Sequence, residues 1–287
     1  MTALHSIALY LRPIGQSLAA LGVWLILLML VFVPLERLFP LRRDRYIRNG
    51  FGRDVGYYFL NGILPGLVLG IPLTTAAWMG HHVLPSAMTT GFTRWPAAMR
   101  LFAAMAVAEV GLYWGHRWCH QIPLLWRFHA IHHSPTHIDF LVNSRGHPVD
   151  FVFTRLCGLT PMYALGMGSP IAGDGGLIPV LVMLVGPAWG FFIHANVRWR
   201  FGPLEWLIAT PAFHHWHHAN DDPSVINKNY APMWPFIDRL FGTFHLPPDR
   251  HPAVFGTDSA VATSFSGQLF DPFAAPPQPP RPGHPTE

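Results

Sequence analysis

Charge, lysine and cysteine are all scarce in this chain. Of 287 residues only 12% are Asp, Glu, Lys or Arg, while 51% are hydrophobic; a soluble domain carries about a quarter charged residues. That balance excludes an ordinary water-soluble enzyme, and the apolar residues come in blocks longer than a globular core needs. Two cysteines, Cys119 and Cys157, exclude a disulfide framework and a four-thiolate metal site, and neither stands in a Cys-x-x-Cys pair. The net charge of +4 and a pI near 9.4 would fit a nucleic-acid binder, but Lys228 is the single lysine and the arginines stand beside apolar blocks. Membrane topology explains that pattern better, and no nucleic-acid partner is expected. The chain also lacks a dinucleotide-binding glycine fingerprint, a flavin motif and an iron–sulfur cysteine set.

What is present is apolar sequence in five blocks, roughly Ile14 to Val33, Val55 to Met79, Ala97 to Gly115, Phe151 to Gly168 and Leu177 to Ala195. The first has about the 20 residues that cross a hydrocarbon core and is too long for a cleaved signal peptide. The fourth is interrupted by Arg155 and by Gly and Pro, and reads as a tilted or partly re-entrant segment. The expected fold class is therefore all-α, an integral membrane helical bundle of about four or five spans. Arg37, Arg42, Arg43, Arg45, Arg48 and Arg53 fill the loop between the first two blocks, which the positive-inside tendency places in the cytoplasm. Counting spans from there puts Met1 outside, and His116 to Asp150 and everything after Asn196 inside, as a cytoplasmic cap. Three regions follow: 1–96, membrane spans with the arginine loop; 97–244, the chemistry; and 245–287, a proline-rich tail expected to be disordered.

The 18 histidines outnumber the 15 acidic residues. His116 and His120 form an H-x3-H pair directly after the third block, and residues four apart lie on one face of a helix. His129, His132 and His133 form an H-x2-H-H triple, and His214, His217 and His218 form another after the fifth block. At this histidine frequency one such triple is expected about 0.07 times by chance, so surface accident does not explain the set. Eight imidazoles exceed the ligands of one structural zinc and point to two metals with open positions. Nitrogen donors suit Fe, Zn, Cu or Ni alike. A site walled by apolar spans suits a lipid, and attack on an unactivated C–H bond needs a redox metal, which zinc is not; iron is then favoured.

These boxes, their order around apolar blocks, and the phrases Phe192-Ile-His194-Ala-Asn196, Gly202-Pro-Leu-Glu205-Trp206, Thr210-Pro211, Asn229-Tyr230 and Asp238-Arg239-Leu-Phe-Gly242-Thr243 resemble the fatty acid hydroxylase and sterol desaturase superfamily over roughly Ala97 to Phe244. The resemblance implies a membrane-bound diiron centre of two Fe ions held by His116, His120, His129, His132, His133, His214, His217 and His218. It adds His147, in Arg145-Gly-His-Pro148, and His194 as further ligands, and leaves His137 undecided. It implies hydroxylation or desaturation of an aliphatic lipid with O2, and electrons from a ferredoxin or cytochrome with its reductase. Ser134, Arg145, His147 and Pro148 are kept, but the threonine-rich phrase common before the arginine is absent, so the substrate stays open. Glu109, Asp139, Asp150, Glu205, Asp222 and Asp238 are candidates to orient ligand imidazoles. His215 points off its triple's face, and His5, His81, His82, His245, His251 and His284 read as surface or tail residues. Two other classes remain: a histidine-ligated zinc hydrolase that needs no electron donor, and, last, a metal transporter, which would place its ligands at mid-bilayer.

Overall fold

The computed structural model describes residues 3–43, 48–168 and 177–274. Its elements are α-helices, short 3-10 turns and loops, with no strand among the described residues beyond the isolated bridges Pro40–Val197 and Ala219–Phe255. The helices are α1 (Ala3–Leu38), α2 (Phe51–Val68), α3 (Gly70–Val83), α4 (Ser86–Thr90), α5 (Ala97–Gln121), α6 (Pro123–His133), α7 (Pro148–Ala164), α8 (Leu177–His194), α9 (Pro211–His217), α10 (Phe236–Leu240) and α11 (Phe265–Ala274).

From Pro13 to Leu38, α1 is apolar on every side and almost wholly exposed, with Val23, Trp24, Ile26 and Leu30 facing outward. Such a surface is stable against lipid and not against water. The other long apolar helix is α5. Helices α2 and α3 meet at Leu69 with a 41° bend and together make a broken third candidate. Thus two described helices are long and apolar enough to cross a membrane, or three if the bent pair is one span, against the four or five expected. A count of four or five is not shown by the described helices. The 17-residue α7 carries Asp150 and Arg155 and rises only about 26 Å, short of a ~30 Å core, and α8 has a similar reach.

Small residues set a close contact in the bundle. A Cβ on Gly111 would strike the Cys157 carbonyl, one on Gly115 would lie 2.7 Å from Cys157 Cβ, and one on Gly158 would lie 2.7 Å from Leu112 Cγ. Helices α5 and α7 therefore touch backbone to backbone, as small residues at regular spacing allow. That crossing brings the first turn of α7 beside the end of α5. On the other side Phe32 of α1, Tyr58 of α2, Phe140, Leu141 and Phe191 of α8 form one apolar cluster, with Phe32 and Phe140 stacked at 5.3 Å.

The arginine loop is fastened rather than free at several points. Arg48 pairs with Asp54 and, at 2.6 Å, with Asp139, and Arg145 pairs with the other oxygen of Asp54. Arg42 donates to the carbonyls of Pro252 and Ala253 at 2.7 and 2.8 Å. The same contacts correct the expectation of a disordered tail. Residues 245–274 fold back over the histidine region: Asp221 accepts from Val254 N at 2.6 Å, Trp126 donates to Ser259 at 2.9 Å, Phe265 packs on Tyr57 at 4.9 Å, and α11 lies on α6. Counting prolines overlooked four phenylalanines, Phe255, Phe265, Phe270 and Phe273, that give this strap an apolar face. Residues 275–287, with the densest prolines, lie outside the described residues.

Candidate metal centre

The last turn of α5 presents His116 and His120 one above the other, their rings 5.2 Å apart. Ile122 then turns extended, and Pro123, whose missing N–H costs nothing in a first turn, starts α6 and its histidines. On the far side Thr210 caps α9 by accepting from Phe213 N at 3.3 Å, with Pro211 in the first turn, and fixes where His214, His217 and His218 point. His194 closes α8.

These rings converge into two adjoining cages, His116, His120, His129, His133 and His217 in one, and His132, His194, His214 and His218 in the other, each with ligand atoms within 4.8 Å of one another. All the helix i, i+4 pairs stay together. The middle histidine of each triple crosses over: His132 leaves its α6 neighbours for the second cage, and His217 leaves its α9 neighbours for the first. Adjacent residues on a helix point about 100° apart, so one triple serves two sites side by side. The stacked rings of His133 and His218, 4.5 Å apart, mark where the cages meet. The spacing argument gave the three positions one shared face; the structure divides them.

The residues fit metal ions on chemical grounds. His132 and His194 each direct Nδ1 to a backbone carbonyl, Arg145 at 2.8 Å and Gly190 at 2.7 Å, so in the neutral ring each Nε2 carries a lone pair. Yet those two Nε2 atoms face each other at 3.3 Å, and the His214 and His218 Nε2 atoms lie 3.0 and 3.2 Å from that of His194. Facing lone pairs repel unless a cation sits among them. In the first cage the Nε2 atoms of His116, His129 and His217 and both nitrogens of His133 are buried without a hydrogen-bond partner. Burial first, then the neighbouring imidazoles, hold His132, His133, His214, His217 and His218 well below the usual histidine pKa, so all are neutral donors at pH 7.

A second layer aims the rings. Nδ1 of His116 meets the Tyr230 carbonyl at 2.8 Å, that of His217 the Lys228 carbonyl at 2.8 Å, that of His120 the Asn227 side chain at 3.1 Å, and that of His129 the Asp150 carboxylate at 3.0 Å. Burial pushes Asp150 up, but its contact with His129, hydrogen bond included, outweighs it and keeps the carboxyl below its ordinary value. Of the six candidate carboxylates only Asp150 touches a caged histidine. Asp139 binds Arg48, Glu205 binds Arg200 at 3.2 Å, Asp222 accepts from Ser224 N, and Glu109 accepts from Met233 and Trp234 N at 2.5 and 2.8 Å. Asp238 acts one step back: it accepts from Tyr230 N and Ala231 N at 2.7 and 2.8 Å, fixing the peptide whose carbonyl holds His116. A further grouping of Cys119, His129 and Asp150 shares His129 with the first cage, and its members are already joined, Cys119 Sγ to Asp150 at 3.4 Å.

His147 is the correction. Its Nδ1 accepts from Val149 N at 3.1 Å, capping α7, and its Nε2 faces the Leu269 carbonyl of α11 at 3.0 Å, so neither nitrogen is left for an ion and it belongs to neither cage. His215, off the face as expected, points to the Ala195 carbonyl at 3.1 Å. His137, His81, His82, His245 and His251 also stand outside both cages; the His5 side chain and His284 lie outside the described residues. Sequence reasoning missed Asn227 and the carbonyls of Tyr230 and Lys228. The available signal was the pair of asparagines, since Asn227 and Asn229 both take left-handed φ, 63° and 59°.

A cavity of about 270 Å³ opens from the cages into the bundle. His116, His129, His132, His194 and His214 line one end, and Leu112, Leu159, Val182, Met183 and Ile193 line the walls between α5, α7 and α8. Gly186 and Pro187 join Met183 in the wall, and all three are exposed.

Two histidine cages at the ends of apolar helices, beside an apolar cavity, define a membrane-type histidine-box protein with a place for metal. Residues 101–243 match the fatty acid hydroxylase family model, and the chain belongs to that family. It is similar to ornithine lipid hydroxylase OlsE of Rhizobium tropici, 35% identical over 181 residues, 63% of this chain and 52% of that one. Alkylglycerol monooxygenase of Danio rerio is 30% identical over 169 residues, 59% of this chain and 35% of the relative. Very-long-chain aldehyde decarbonylase GL1-7 of Oryza sativa subsp. japonica is 27% identical over 186 residues, 60% and 28% respectively. The matched stretch thus spans about half the length of the first of these relatives and about a third or less of the others. No solved structure matches the chain.

Proposed function

We propose that this chain is a membrane-bound oxygenase that hydroxylates or desaturates an aliphatic lipid, with two irons in the histidine cages, O2 as oxidant and electrons from a separate ferredoxin or cytochrome with its reductase. The observation that carries the reading is the apolar cavity ending on the Nε2 atoms of His132 and His194, which face each other while each ring's proton is held on Nδ1 by a carbonyl. A pair of irons bound there supplies the oxygen chemistry that an unactivated C–H bond demands and that zinc lacks. The chain's own part is positioning. Asp150 and the carbonyls of Arg145, Gly190, Lys228 and Tyr230 fix the rings, and the walls between α5, α7 and α8 hold an alkyl chain away from water. The wall residues exposed on α8 favour a substrate that arrives from the bilayer. The names of the bacterial and fish relatives favour hydroxylation of a lipid. The missing nucleotide and cluster motifs favour an external electron donor, and the arginine loop favours a cytoplasmic site.

The experiment is lipid profiling of cells with and without the protein, with the His132→Ala variant as the metal-deficient control. A lipid that gains one oxygen or loses two hydrogens only with the intact protein supports the reading. An unchanged profile, or turnover by the zinc-loaded protein with no electron donor, contradicts it.

A further inference from the structure

The cavity holds a cation that the oxygenase reading does not use. Arg155 sits in α7 and lines the same cavity as the histidines. Its guanidinium lies 5.2 Å from the Phe151 ring, one turn back on the helix, and among the described residues makes a single long hydrogen bond, 3.5 Å, to the Asn61 carbonyl of α2. It forms no ion pair with any carboxylate among the described residues, unlike Arg48, Arg145 and Arg200. The two carboxylates in the cavity wall are already engaged, Glu109 by the Met233 and Trp234 N–H groups and Asp150 by His129. An arginine inside an apolar bundle is costly and normally paired, and its planar fork matches the oxygens of a carboxylate or phosphate.

Resting on the lipid reading above, the geometry points to Arg155 as the headgroup anchor of this cavity: it binds a carboxylate or phosphate oxyanion on the lipid whose alkyl chain the apolar walls hold. Arg155 is five residues beyond Asp150, about 7.5 Å along the helix, so anchor and metal-facing end share one short channel. The cavity then selects for an anionic lipid rather than for a hydrocarbon or a neutral alcohol of equal length.

Calorimetric titration of the purified full-length, metal-loaded protein in neutral detergent tests this with three probes of one chain length: palmitic acid, 1-palmitoyl lysophosphatidic acid and hexadecanol. The wild type should bind at least one anionic probe about tenfold or more tightly than hexadecanol, about 1.4 kcal/mol, as a charge-assisted hydrogen bond can supply; which anion wins separates carboxylate from phosphate. Arg155→Gln should lose that preference while keeping its metal content and its hexadecanol affinity, and Arg155→Lys should keep part of it. Equal wild-type affinity for all three probes overturns the anchor and leaves the lipid cavity standing. Binding of none overturns both. If Arg155→Gln fails to load metal, the wild-type preference and its retention in Arg155→Lys decide, and absence of either overturns the anchor.

Discussion

The first cage draws five rings from α5, α6 and α9, whereas the second draws four from α6, α8 and α9. Among the five, His116, His120, His129 and His217 are each aimed by a partner on Nδ1. Among the four, such aim is seen for His132 and His194, while His214 Nδ1 is buried with none. The cavity touches three rings of the smaller cage, His132, His194 and His214, but two of the larger, His116 and His129. A metal with fewer protein ligands keeps positions for outside ligands. On the proposed reading the larger cage would anchor its ion, and the smaller one would face the substrate.

That asymmetry can be broken by substitution. The largest effect is expected from His132→Ala, which leaves the smaller cage three rings; elemental analysis should find one ion lost per chain, and product formation should fall by more than the roughly 10–100-fold typical of outer-layer changes. His217→Ala leaves the larger cage four rings and should retain more metal than His132→Ala. Equal losses would erase the distinction between the cages. Asp150→Asn removes only the charge that orients His129 and should weaken metal binding by about 10–100-fold, read from metal retention against a graded chelator. The smallest effect belongs to His147→Ala: metal content unchanged, with a lower melting temperature equivalent to about 1 kcal/mol for a lost helix cap. Metal loss in that variant would return His147 to the ligand set.

The three boxes and the all-helical class were legible because periodicity and residue type act locally. Spacing of three and four along a helix is enough to see that His129, His132 and His133 work together. It does not reveal which ion each one faces, because that depends on where α9 and α8 arrive from. His147 has a ligand's sequence context, yet the α11 strap takes its second nitrogen, and nothing in a proline count announces that strap. The orienting groups were expected to be carboxylates, but most are backbone carbonyls, which no side-chain motif displays. Helices α7 and α8 bury one side against α5, and α8 also against the loop at Phe140, so the composition of those apolar blocks reflects packing as well as lipid.

The central claim is a pair of ions held by imidazole nitrogen. Metal-to-protein stoichiometry combined with X-ray absorption at the iron edge, on the full-length protein purified from iron-supplied cells, addresses it directly. Two irons per chain with a nitrogen and oxygen first shell and a second metal nearby is the predicted result. A single ion, no bound metal, or sulfur in the first shell would contradict it.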